Sequence, residues 1–124
     1  MKKTILGLRT VIYKVADLGK AKDWYSRVFA TQPYFDEPFY VGFNVGGFEL
    51  GLQPEANAGI SIADNVQTYW GVDDVSSEFE RMLSLGATEH EKPQNVGGEI
   101  VVASLRDPGG NVIGIIYNPE FKPD

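Results

Sequence analysis

A strand that ends in Val-x-Asp-apolar and hands over to a helix occurs twice in this chain, and a chain made of two copies of one module has few folds open to it. The first copy is Thr10-Val11-Ile12-Tyr13-Lys14-Val15-Ala16-Asp17-Leu18, and the second runs Val66-Gln67-Thr68-Tyr69-Trp70-Gly71-Val72-Asp73-Asp74-Val75, with Asp17 and Asp74 standing 57 positions apart. β-Branched and aromatic residues favour the strand, and each Asp is placed to accept the first free helical N–H groups. Behind Asp17, Ala21, Trp24, Tyr25, Val28 and Phe29 fall on one helical face, as Val75, Phe79, Met82 and Leu83 do behind Asp74. Gly86 stands where that second helix should end.

Three more strands are expected after each helix. In the first half they are Tyr34-Phe35, Phe39 to Val45 and Gly47 to Gln53, broken by Asp36-Glu37-Pro38 and Gly46-Gly47. The second half offers 87–91, Glu99 to Leu105 and Asn111 to Tyr117, broken by Gly97-Gly98 and Asp107-Pro108-Gly109-Gly110. The strand ends Gln53-Pro54-Glu55 and Asn118-Pro119-Glu120 also match, now 65 positions apart, so the second half must hold extra residues between its helix and its last strand. The expected fold class is α+β, two tandem β-α-β-β-β modules whose curved mixed sheets surround a cavity. Module 1 covers about 5–55, a linker about 56–65, and module 2 about 66–120, together one domain.

Composition narrows the partners. The 124 residues suit one domain able to bury roughly two-thirds of its unfolded surface. The absence of cysteine excludes disulfides and thiolate zinc sites. The apolar run after Met1-Lys2-Lys3 is too short for a signal peptide or a membrane span, so a cytoplasmic protein is expected, with no membrane partner. A formal charge of −6 argues against nucleic acid.

The paired modules, the two Val-x-Asp strand ends, Leu85-Gly86-Ala87 and Asp107-Pro108-Gly109-Gly110-Asn111 together resemble the vicinal oxygen chelate superfamily, which includes glyoxalase I, extradiol dioxygenases, fosfomycin-modifying enzymes and bleomycin-resistance proteins. The resemblance implies a homodimer, a small-molecule ligand, and four inward positions for metal ligands, here Thr10, Glu49, Gln67 and Gly114. Glyoxalase I would carry His or Gln, Glu, His and Glu there, and only Glu49 matches. A hydroxyl, an amide and a glycine beside one carboxylate are a poor set for zinc, nickel or iron. No cofactor is therefore expected, and a weak divalent metal at Glu49 and Gln67 is the alternative.

Alternation places Glu49, between Phe48 and Leu50, away from the helix and into the cavity, and Tyr69 on the side of Gln67. Trp24, Trp70 and Tyr117 read as core, whereas the register of Phe35, Tyr40 and Phe43 stays open. Phe121 is a candidate for covering the cavity mouth. The ligand set is thus Thr10, Glu49, Gln67, Tyr69, Gly114 and Phe121, with Glu49 the candidate catalytic group. Burial in an apolar pocket should raise its pKa. His90, in a polar run, reads as a surface histidine, and Asp107 to Asn111 as a turn rather than a calcium loop. Two functions follow: sequestration of a small ligand in a metal-free cavity, a resistance role, or a lyase or isomerase similar to lactoylglutathione lyase with Glu49 as proton acceptor. A third is an interaction subunit with a self-filled cavity.

Overall fold

The computed structural model describes residues 4, 8–56 and 67–121, so positions 5–7 of the expected first strand, the linker at 57–65 and Val66 lie outside the described residues. The chain divides into two compact units, Met1–Ala56 and Asn57–Asp124. The first unit runs β1 (Thr10–Val15), α1 (Leu18–Val28), β2 (Phe35–Glu37), β3 (Tyr40–Val45) and β4 (Phe48–Pro54). The second repeats that order as β5 (Tyr69–Gly71), α2 (Val75–Ser84), β6 (Thr88–Gly97), β7 (Ile100–Arg106) and β8 (Val112–Tyr117). Each unit holds one four-stranded mixed sheet, ordered β1-β4-β3-β2 and β5-β8-β7-β6. In both, the first strand pairs parallel with the last and the other pairings are antiparallel. The two sheets share one topology, as the sequence repeat implies.

Both helices begin as expected. Asp17 accepts from the Lys20 N–H at 3.1 Å and Asp74 from the Ser77 N–H at 3.0 Å, each relieving an orphan donor. They end alike too. At the close of α2 the Gly86 N–H donates to Leu83 O and the Ala87 N–H to Met82 O, with Gly86 at φ 104°, a conformation that costs glycine nothing. At the close of α1 the same place is taken by Ala30 at φ 49°, and the Thr31 N–H reaches back to Ser26 O at 3.2 Å.

Pleating then sorts every side chain. One face of the first sheet carries Tyr13, Val15, Val41, Phe43, Leu50 and Leu52, all buried, and α1 buries Trp24, Tyr25 and Val28. Burying each such side chain contributes roughly 1.5–3 kcal/mol. Tyr25 is the centre of the ring packing, 5.7 Å from Tyr13, 4.9 Å from Trp24 and 5.8 Å from Phe29 between centroids. In the second unit Ala103, Leu105, Ile113 and Ile115 form the corresponding face, and α2 buries Val75, Phe79 and Met82. Trp70 pairs with Ile115 and Tyr117 with Val101, both in register with that face, although each is only half-buried.

The second half differs from expectation in its third element. The strand expected at 87–91 is the ten-residue β6, which continues through Pro93 with three register shifts along β7. Its counterpart β2 has three residues. The extra length of the second half is therefore paired in a bulged edge strand rather than looped out, as suits a strand that carries a proline. The Asp107–Asn111 segment is a turn: the buried Asp107 carboxylate accepts from the Asn111 N–H at 2.8 Å and from Asn111 Nδ2 at 3.1 Å. No described helix is long and apolar enough to cross a membrane.

Candidate functional site

With one face of the first sheet given to α1, alternation sends Thr10 and Ile12 of β1, Glu49, Gly51 and Gln53 of β4, Tyr40 and Gly42 of β3, and Phe35 of β2 to the other. That helix-free face holds an open hollow of about 580 Å³ lined by Thr10, Ile12, Tyr34, Phe35, Phe39, Tyr40, Glu49 and Gln53. Register puts Thr10 directly beside Glu49, and Thr10 Oγ1 donates to Glu49 Oε1 at 2.8 Å. Tyr34, just before β2, donates its hydroxyl to Glu49 Oε2. Tyr40 stands on the same face and helps to hold the carboxylate's pKa down.

Two glycines make room for this arrangement. A Cβ on Gly51 would strike the Tyr40 hydroxyl and come within 2.6 Å of its ring, and one on Gly42 would lie 2.8 Å from Glu49 Oε2 and 3.0 Å from the Tyr34 ring. Both tyrosine rings thus occupy space that a side chain at either glycine would need. The electrostatics correct an expectation: the Glu49 pKa is lowered, not raised. The Tyr34 hydroxyl bond is the largest cause, Thr10 and Tyr40 add to it, and desolvation opposes them without prevailing. The tyrosines move the other way. Tyr34 is raised chiefly by donating to Glu49, and Tyr40 is pushed up to about 12 by burial first and by the Glu49 charge second. Near neutral pH the cluster is one carboxylate anion held by protonated hydroxyls.

The other expected residues gather in the second unit. Tyr69 pairs with Gly114 as Thr10 pairs with Glu49, so in ladder register Tyr69 rather than Gln67 stands across from Gly114. A Cβ at position 114 would collide with Thr68 O and lie 2.6 Å from the Tyr69 ring and 2.8 Å from Gln67 Nε2. The place of a fourth metal ligand is thus filled by neighbouring side chains. Gln67 Nε2 donates to Thr68 O at 3.3 Å. Phe121 is 77% exposed. His90 is half-buried rather than a free surface group, its Nδ1 2.8 Å from Oγ of the buried Ser104, which pairs with Gly114.

Of the rings whose register stayed open, Phe43 is buried under α1 while Phe35 and Tyr40 line the hollow. The sequence reading missed Tyr34 as a partner of Glu49. Its one signal was a polar ring beside a strand of uncertain start.

A divalent ion does not fit these donors. Among the described residues no group of three or more His, Cys, Asp or Glu side chains comes together. Around Glu49 the neighbours are hydroxyls whose protons already point at the carboxylate, and at position 114 there is no side chain.

Two mixed sheets of this topology, each backed by one helix, define the class that the sequence resembled. The family model for the Glyoxalase/Bleomycin resistance protein/Dioxygenase superfamily matches residues 7–115, and the chain belongs to that superfamily. Solved structures agree on the fold. A glyoxalase-related enzyme from Fulvimarina pelagi superposes with a TM-score of 0.77 at 17% identity, covering 97% of this chain and 94% of that one. A genomically encoded fosfomycin resistance protein from Listeria monocytogenes gives 0.74 at 16% identity over 96% and 97%. Lactoylglutathione lyase from Agrobacterium tumefaciens gives 0.72 at 20% identity over 95% and 99%. No curated protein matches the sequence.

Proposed function

We propose that this protein binds a small organic molecule in the hollow on the helix-free face of its first sheet, with Glu49 as the polar anchor. The observation that carries the reading is a carboxylate held by the Thr10 and Tyr34 hydroxyls, with Tyr40, Phe35 and Phe39 lining the same open concavity. Pockets for small molecules commonly combine apolar walls with a few placed polar groups. A lyase using Glu49 as proton acceptor needs a basic carboxylate, and the hydroxyl donors take that basicity away. Binding without turnover, as in sequestration or resistance, is therefore the better reading, and it gives Glu49 to the ligand rather than to a metal ion. A homodimer in the cytoplasm belongs to the same proposal by family resemblance, and light scattering tests the dimer.

The test is a fragment screen by ligand-observed NMR on the purified protein, with hits mapped by chemical-shift changes at Thr10, Tyr34 and Tyr40. We expect hits that move these three residues and are lost in Glu49→Gln. Hits that all map elsewhere, or none at all, would refute the reading.

A further inference from the structure

Each oxygen of Glu49 already accepts from a hydroxyl. A carboxylate offers about four acceptor sites, and Thr10 donates to Oε1 while Tyr34 donates to Oε2. Hydroxyl donors spread a negative charge without cancelling it, and the described lining of the hollow contains no lysine or arginine. A ligand meets a net anion there, each of whose oxygens is already engaged by a hydroxyl.

The walls complement that anion. Phe35 stands between two other rings, 5.9 Å from Phe39 at an interplanar angle of 67° and 6.1 Å from Tyr40 at 57°. Rings inclined at such angles present faces and edges around a shared volume instead of closing into a stack. Aromatic faces attract cations through their quadrupole. Phe39 is 65% exposed and Tyr34 63%, so these rings are not consumed by the core beneath.

The geometry points to an organic cation without N–H groups, of the quaternary ammonium type, as the ligand class of this hollow. Its charge is spread over methyl groups that need no hydrogen-bond acceptor, so it gains from the ring faces and the Glu49 field together. A primary ammonium would share the carboxylate oxygens with the Thr10 and Tyr34 hydroxyls, whereas a quaternary one makes no such demand. This inference rests on the reading of the hollow as a ligand site and adds the chemical class to it.

Choline, its neutral isostere 3,3-dimethylbutan-1-ol and its primary-amine counterpart ethanolamine separate the two claims by calorimetry on the full chain. We expect choline to bind at least about tenfold more tightly than either analogue. Glu49→Gln should abolish that preference, and Phe39→Leu, at an exposed ring, should weaken choline severalfold while sparing the neutral alcohol; thermal melts confirm that both variants are folded. Equal binding of the alcohol, or preference for ethanolamine, overturns the cation class but leaves the site intact. Failure of all three probes while unrelated fragments still occupy the hollow overturns it in the same way. Failure of every fragment overturns both claims.

Discussion

Glu49 couples the stability of this protein to pH in a direction fixed by its partners. Its carboxyl is held below its ordinary value of 4.5, so the stability it contributes is complete above pH 4.5 and is lost as the pH falls through the lowered folded value. Tyr34 and Tyr40 are raised, so their contribution is complete below pH 10 and is lost as the pH climbs, for Tyr40 toward about 12. Denaturant melts across pH should therefore show the stability difference between wild type and Glu49→Gln narrowing once the pH drops below 4.5. A difference that is constant through that range would contradict the assignment. Gly51 is the steric counterpart: Gly51→Ala should cost about 1–3 kcal/mol by overpacking against Tyr40. In a Tyr40→Ala background the same change should cost clearly less, and a double-mutant cycle by chemical denaturation measures the coupling. At this scale period-2 alternation put Glu49 on the helix-free face without knowledge of the neighbouring strands, whereas Thr10 came in through the family resemblance. The sequence could not disclose Tyr34 or Tyr40, since the Asp36-Glu37-Pro38 break hides the register of what flanks it. The wrong direction for the Glu49 pKa follows directly: burial was visible in the pattern, and the hydroxyl donors were not.

The helices were legible end to end because caps and amphipathic spacing are local. Asp74→Ala should cost about 1 kcal/mol through loss of the bond to the Ser77 N–H, read as a drop of a few degrees in the melting temperature. The two helix ends make a more discriminating pair. Ala30 holds the left-handed conformation that Gly86 holds in α2. Relief of about 1–2 kcal/mol of backbone strain outweighs the extra unfolded-state freedom of glycine. Ala30→Gly should then stabilise by about 0.5–1 kcal/mol and Gly86→Ala destabilise by a similar amount, both by thermal melting. The strands were harder. β6 exceeds its expected span because its pairing with β7 tolerates bulges, and nothing local in Glu91-Lys92-Pro93-Gln94 announces a continuing strand. Tertiary pairing overrode a proline that reads as a breaker.

On the scale of the whole chain, duplication set the architecture and divergence set the chemistry. Both units kept one strand order, one capped helix and one parallel pairing of first strand to last. The first carries a carboxylate on its last strand, beside hydroxyls and rings. The second has glycine at position 114, with Gln67 and Tyr69 close against it. Membership of the superfamily fixes the fold of this chain, and the proposed function rests on one anion in an aromatic hollow. The most direct measurement of that claim follows the side-chain carboxyl carbon of Glu49 by ¹³C NMR through an acid titration, alone and with a bound fragment. The account predicts a midpoint below 4.5 and a resonance that moves when the hollow is occupied. A midpoint above 4.5, with a resonance indifferent to every bound molecule, would contradict it.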